Sequence, residues 1–318
     1  MNKRCCVYLT NEHPGYMKMA INSMRMLRKH NADLPVRCVF IRDHCSQTMP
    51  RDNISESTLS GNSELFLEMC RNSNVEVWER PPLMFRGEEK FFHINRMYLN
   101  DMQEESLLYI DADTFIFGDV TTIFDDYSDV EFAACPANWA MGRKWKKEYL
   151  PSGHLTIPFS SGVMLWNKGA VRDWSSKLNY YCRSLREGKH AISNWLYQQH
   201  DDCLLREEFS VSLHVAYEGI KYRYLKREDC QLILYPSDKN DVGNSKIFHC
   251  YSPNWRAIYQ KLRWNNHRIK PFVRRSGDIC GPVGISVEAS DHPFFNLDTN
   301  LSEFFPQDHD GFQIPRVP

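Results

Sequence analysis

The chain has 318 residues, a formal net charge of -1, 42% hydrophobic and 25% charged residues. That composition is ordinary for a globular protein, and the length suffices to bury a core without disulfides or a structural metal. It excludes a protein that coats nucleic acid through a basic excess, and no stretch approaches the ~20 apolar residues of a membrane span.

Cys5 to Thr10 reads as a strand. The apolar run ending at Leu9 is shorter than a signal-peptide core of ~7–15 residues, so the expected location is the cytoplasm. Met17, Ala20, Ile21, Met24 and Leu27 then fall on one face of a helix. Val36 to Ile41 is a second apolar run. The polar stretch His44 to Glu64, with Ser, Thr, Asn and Gly throughout, reads as loop. Val75 to Trp78 is a short strand, Glu88 to Asn100 a helix, and Leu107 to Ile110 a strand ending in acidic residues. Phe132 to Cys135 and Ser160 to Asn167 read as strands on either side of an aromatic loop, Pro136 to Pro158. Val171, Trp174, Leu178, Tyr181 and Leu185 form a helical stripe. Leu232 to Tyr235 and Lys246 to Cys250 are short strands. The tail from Ser276 onward holds five prolines and little periodicity.

This β/α alternation predicts an α/β fold, a mostly parallel twisted sheet with flanking helices. Ligands of such sheets bind beyond the carboxyl ends of the strands. One domain is expected over residues 1–275, with a C-terminal extension, 276–318, packed on it or partly mobile. The 11 cysteines include no C-x-x-C pair. They read as small buried hydrophobes in a reducing compartment.

The sharpest local pattern is Leu107-Leu108-Tyr109-Ile110-Asp111-Ala112-Asp113-Thr114. A buried strand delivers two carboxylates to the ligand edge, two residues apart and so on one side of an extended chain. Two such charges repel unless a cation sits near them, and a hard divalent ion shared with substrate phosphates fits that need. The alternative is a solvated turn with helix-capping aspartates. A phosphatase of the haloacid dehalogenase type also begins with a strand and D-x-D. That pattern wants Thr or Val where this chain has Phe115.

Further segments surround this one in a fixed order. They are Val7-Tyr8-Leu9-Thr10-Asn11 with Tyr16, then Lys90, then Phe159-Ser160-Ser161-Gly162-Val163-Met164-Leu165-Trp166-Asn167. Asp201-Asp202-Cys203-Leu204-Leu205 follows, and then His249 with Pro253-Asn254-Trp255. Together they make the chain resemble the family 8 glycosyltransferases, the glycogenin-like and bacterial galactosyltransferase-like enzymes. The resemblance spans about residues 5 to 256. It implies a GT-A fold, with a Rossmann-like nucleotide-binding half and an acceptor-side half. The implied activity is transfer of a hexose from a UDP-sugar, with retention of configuration, dependent on Mn2+ or Mg2+.

The resemblance also implies roles. Asp111, Asp113 and His249 would ligate the metal. Leu9, Thr10, Asn11 and Tyr16 would meet the uridine, and Lys90, Asp111, Ala112, Asn138, Ser161, Gly162 and Arg256 the rest of the donor. Physical chemistry agrees with the metal set. A diphosphate leaving group gains negative charge as the sugar bond breaks, and a bridging cation stabilises that state more than the ground state. An imidazole ligand favours Mn2+, because Mg2+ prefers oxygen. Three departures from the pattern stand out: Ser160 for Asn, Asp202 for Gln, and no glycine or lysine in Ser252-Pro253-Asn254-Trp255.

Asp201 and Asp202 open a helix near Leu204, where they could simply cap it. The resemblance places them under the donor sugar. Asp202 then attacks or stabilises the oxocarbenium-like state, a carboxylate being a better nucleophile than an amide, and Asp201 orients sugar hydroxyls. Arg256 to Arg275 carries seven basic and no acidic residues. It reads either as a phosphate-facing wall, with Arg256 and Lys261 as contacts, or as a solvated basic face. Tyr16 could equally belong to the core face of the first helix, and His249 to a strand core. Two competing functions are a metal-dependent nucleotidyltransferase and a non-catalytic nucleotide-sugar-binding protein. The former wants a glycine-rich basic first loop, where this chain has Asn11-Glu12-His13-Pro14-Gly15. The acceptor is open among glycan, protein, lipid-linked sugar and modified nucleobase. A nucleic-acid acceptor gains no support from the net charge, and the oligomeric state is not legible.

Overall fold

Apolar runs buried on both faces build the central strands, as parallel sheets covered by helices require. A computed structural model of the chain describes residues 4–12, 14–42, 56–83, 92–136, 159–187, 206–233 and 245–250. The strands are β1 (Arg4–Asn11), β2 (Val36–Ile41), β3 (Glu76–Arg80), β4 (Ser106–Ile110), β5 (Thr114–Ile116), β6 (Phe132–Pro136), β7 (Phe159–Trp166), β8 (Tyr222–Tyr224), β9 (Cys230–Ile233) and β10 (Ile247–Cys250). The helices are α1 (Pro14–His30), α2 (Glu56–Asn72), a 3-10 helix (Phe92–Asp101), α3 (Thr121–Asp126), α4 (Ala170–Arg186) and α5 (Arg206–Tyr217). A seven-stranded, mostly parallel sheet has the order β3-β2-β1-β4-β7-β6-β8, and a three-stranded sheet the order β5-β10-β9. Strand β7 runs antiparallel to both of its neighbours. The chain divides into two compact units interleaved in sequence. The first comprises Met1–Val7, Pro82–Ile110 and Thr122–Lys226. The second comprises Tyr8–Pro81, Asp111–Thr121 and the residues from Arg227 on.

In the first unit the core centres on β7, every residue of which is buried. Trp166 at its end stacks on Trp174 of α4 at 5.2 Å between ring centroids, and meets Phe132 of β6 at 4.3 Å. Asn167 then leaves the strand. Its side-chain amide donates to the carbonyls of Tyr127 and Val130, at 2.8 and 2.9 Å, and so fixes the turn after α3. Lys168 and Gly169 follow with φ of 54° and 72°. Glycine suits this left-handed backbone, and a Cβ there would lie 2.1 Å from the Arg172 guanidinium, which would have to shift. That guanidinium is engaged with the Met102 carbonyl at 3.1 Å.

His214 on α5 is buried beside Trp166 and Tyr181, with Asp173 Oδ2 3.7 Å from its Nε2. Burial pushes its pKa down to about 4, against the pull of Asp173 and Glu218. The unfolded chain therefore binds a proton between about pH 6.5 and pH 4 that the folded chain refuses, and stability rises with pH across that window. The shift corresponds to roughly 3 kcal/mol, present above pH 6.5 and lost by pH 4. Urea unfolding at pH 7.5 and 5.0 is expected to show a larger loss for the wild type than for His214→Phe. Equal losses would contradict it.

The second unit carries β2 and β3 in parallel register, with the small sheet and helices α1 and α2. α1 packs on β5 and on α2. Its C-terminal turn holds Arg28, Lys29 and His30, which suits the negative end of the helix dipole. The Asn31 amide donates to the Leu27 and Gly118 carbonyls and accepts from the Val120 N–H at 2.9 Å, tying the end of α1 to the chain after β5. β10 lies parallel to β9 and antiparallel to β5, and Phe248 meets Phe117 edge-on at 5.5 Å.

Most expected elements lie within a residue or two of their observed bounds. One is corrected: the stretch read as loop from His44 to Glu64 enters helix α2 at Glu56. Its polar residues are used inside the fold, since Asn62 and Ser63 are buried there with Phe66, Leu67, Met69 and Cys70. β5, α3 and β8 were not expected. The helix from Glu88 is a 3-10 helix from Phe92 among the described residues. The aromatic loop Pro136 to Pro158, beyond Pro136 itself, and the extension 276–318 lie outside the described residues. Cys5, Cys6, Cys38, Cys70, Cys135, Cys182 and Cys230 are buried. No helix among the described residues is long and apolar enough to cross a membrane.

Candidate metal centre

β4 runs Ser106–Ile110 with its last four residues buried, and the chain turns at once into Asp111 and Asp113 before β5 begins at Thr114. β10 returns antiparallel to β5 with His249 as the direct partner of Thr114. This pairing sets the imidazole beside the acidic turn, all within the second unit. His249 Nε2 lies 3.7 Å from Asp111 Oδ2 and 3.4 Å from Asp113 Oδ1. One ligand atom from each of the three residues falls within 4.8 Å of the others.

The side chains are 23% exposed for Asp111, 13% for Asp113 and 12% for His249, so the cluster is sheltered yet reachable. Burial raises the Asp113 carboxyl above its usual range. His249 opposes that rise and Asp111 adds to it. A pair of sheltered carboxylates with one imidazole is a donor set that a divalent cation stabilises by removing their mutual repulsion. Two oxygen donors and one nitrogen suit Mn2+ as well as a harder ion. The residues present fit the group.

The other predicted positions divide. Leu9, Thr10 and Asn11 form the buried carboxyl end of β1, and Tyr16 lies half-buried in the first turn of α1, both in the triad's unit. Ala112 is buried between the two carboxylates. Ser161 and Gly162 are buried within β7 of the first unit, where the Ser161 N–H donates to Glu208 Oε1 at 3.4 Å. Lys90, Asn138, Asp201, Asp202, Arg256 and Lys261 lie outside the described residues.

Three features escaped the sequence reading. Glu12, next after Asn11, is buried and held by Arg42 at 3.4 Å and by the Ser63 hydroxyl at 3.3 Å. Burial alone would lower the Arg42 pKa, but Glu64 and Glu79 at 2.9 and 2.7 Å hold it above the ordinary value. This knot braces the chain just after β1, and two of its five members, Ser63 and Glu64, come from the stretch read as loop. Arg96, fully buried on the 3-10 helix of the first unit, lies 4.6 Å from the Tyr109 ring centroid and donates to the Tyr109 hydroxyl at 3.1 Å. The third is a set of buried hydroxyls behind the acidic turn, those of Tyr8, Ser23 and Thr114. No sequence pattern announces any of them, because the partners are far apart in the chain.

The sequence matches no family model and no curated protein. Solved structures do resemble it. The apo structure of the WbbM bifunctional glycosyltransferase shares 11% identity over 84% of this chain and 50% of that one, with a TM-score of 0.50. Galactosyltransferase LgtC, in complex with donor and acceptor sugar analogues, shares 15% identity over 77% of this chain and 86% of that one, with a TM-score of 0.48. Apo mouse xyloside xylosyltransferase 1 shares 14% identity over 78% and 96% of the two chains, with a TM-score of 0.44. At such identities the likeness concerns architecture, and the WbbM match carries it: the chain has the GT-A glycosyltransferase fold.

Proposed function

We propose that the protein is a metal-dependent, retaining glycosyltransferase that moves a hexose from a UDP-sugar to an acceptor. The observation that carries the reading is the convergence of Asp111, Asp113 and His249 at the end of β4, in a glycosyltransferase fold. A divalent cation held by these three residues would supply positive charge to the departing diphosphate. The buried carboxyl end of β1, from Leu9 to Asn11, belongs to the same unit and is the proposed uridine side. Tyr16 is proposed to stack on the base, and Lys90 and Arg256 to meet the phosphates. Asn138 is proposed to contact the donor sugar, Ser161 and Gly162 to let the backbone approach the donor closely, and Ala112 to bind the donor. Asp201 is assigned to orientation of the donor sugar and Asp202 to stabilisation of, or attack on, the oxocarbenium-like centre.

The test is release of UDP from a panel of UDP-sugars with Mn2+, in the presence and absence of EDTA. Turnover that EDTA abolishes and excess Mn2+ restores is expected. Retained turnover in EDTA would remove the metal from the reading, and no binding of any nucleotide sugar would sink it altogether. In the same assay Asp202→Asn is expected to lose most turnover at saturating donor. Near-wild-type turnover would reject its assigned role.

A further inference from the structure

Behind the acidic turn lies a line of buried hydroxyls. Tyr8 of β1, Ser23 of α1 and Thr114 of β5 are all buried and all in the second unit. The Tyr8 hydroxyl is 3.1 Å from Ser23 Oγ, and Ser23 Oγ is 2.6 Å from Thr114 Oγ1. Thr114 Oγ1 donates to the Asp111 carbonyl at 2.9 Å. Each hydroxyl has one proton to give. Thr114 spends its proton on Asp111, so it must accept from Ser23, and Ser23 in turn must accept from Tyr8. The direction of the whole line is thereby fixed, from Tyr8 through Ser23 and Thr114 to the peptide of Asp111.

Thr114 also stands at a second junction. It is the strand partner of His249 in the β5–β10 ladder. One residue therefore fastens the Asp111 peptide through its side chain and aligns His249 through its backbone. Valine would fill nearly the same space, so volume alone does not explain a threonine at this buried place. The hydroxyl joins helix α1 and strand β1 to the turn that presents the carboxylates. A turn pinned this way has fewer conformations to lose when three ligand atoms converge on one ion.

We infer that Tyr8, Ser23 and Thr114 form a positioning relay that presets the Asp111–Asp113 turn for cation binding, with Thr114 as its hub. The inference rests on the reading of Asp111, Asp113 and His249 as a cation site. Thr114 and Ser23 touch neither donor nor acceptor in this account; they act through the turn. Partners outside the ligand set typically change metal affinity by about 10–100-fold when lost, which sets the scale expected for the hub.

The test uses the full chain without nucleotide, titrated with Mn2+, with free Mn2+ read from its electron paramagnetic resonance signal. Thr114→Val is expected to weaken Mn2+ binding about tenfold or more. Thr114→Ser, which keeps the hydroxyl, should restore it to within about threefold, and Ser23→Ala should weaken it in the same direction as Thr114→Val. Thermal unfolding of the metal-free proteins separates positioning from folding, and Ser23→Ala carries the test should Thr114→Val fail to fold. Folded Ser23→Ala or Thr114→Val protein with wild-type Mn2+ affinity, beside a wild type that binds Mn2+, overturns the relay and leaves the cation reading intact. A wild type that binds no Mn2+ overturns both.

Discussion

Asp113→Ala is expected to lower Mn2+-dependent turnover of the nucleotide sugar by about 10²–10³-fold, the scale of losing one preorganised electrostatic contact to a transition state. Asp113 is the more sheltered of the two carboxylates and the closer to His249 Nε2, at 3.4 Å against 3.7 Å. It is also the group whose proton affinity burial raises, so its ionisation is costly by itself and pairing with a cation would relieve that cost. Removing it leaves one carboxylate and one imidazole, too few to hold a divalent ion in place against its hydration shell. The loss should lie in the metal-dependent activity and not in the fold. Metal-free Asp113→Ala should melt at or slightly above the wild-type temperature, because a buried carboxylate facing another is removed. The measurement is initial rate against Mn2+ concentration, paired with thermal unfolding in EDTA. A variant that keeps more than a tenth of wild-type turnover at saturating Mn2+ would contradict the assignment.

The second large effect is on stability. Trp166→Ala is expected to cost about 4 kcal/mol, the range for emptying a large aromatic site. Trp166 is fully buried at the end of β7 and is the strand partner of both Leu107 and Phe132. The cavity left behind would border Trp174, stacked on it at an interplanar angle of 17°, and Phe132. These groups sit on a helix and a strand, so collapse into the gap is limited. Trp166 Nε1 is buried without a hydrogen-bond partner among the described residues, a cost to the folded chain. Trp166→Phe removes that cost along with some volume and should lose less than about 1.5 kcal/mol. Urea unfolding of the two variants checks both numbers. A loss below about 1 kcal/mol for Trp166→Ala would show that the site collapses.

Legibility in the sequence followed the range of the interactions. β2, β4 and β7 could be read because each carries an apolar run, Cys38 to Ile41, Leu107 to Ile110 and Val163 to Trp166, followed by polar residues. The face of α1 could be read from the spacing of Met17, Ile21 and Met24. Helix α2 could not, because Ser57, Ser60, Gly61, Asn62 and Ser63 look like loop residues in the sequence, and only the burial of Asn62 and Ser63 reveals their place in the fold. β5 is three residues long and exists as a strand because β10 pairs with it. In the site, a strand running straight into two carboxylates was readable for Asp111 and Asp113. His249 had no such local sign, and only the order of motifs brought it forward. The hydroxyl relay was invisible, because Ser23 and Thr114 are 91 positions apart and serine and threonine are common everywhere.

The interleaving of the two units also orders events at the ribosome. The acidic turn is made early, but His249, the proposed third ligand, sits on β10, more than a hundred residues later, in register with β5 and β9. From the emergence of Asp113 until that of β10 the two aspartates belong to a turn whose partner strand does not yet exist. The first unit is interrupted in the same way, its β4 awaiting β7 across the insertion that supplies β5. Such non-local closure is slow, and it leaves apolar strands such as β1 exposed to wrong partners in the interval. Capture of a cation by the three proposed ligands would therefore come late in the birth of the molecule, after β10 has emerged.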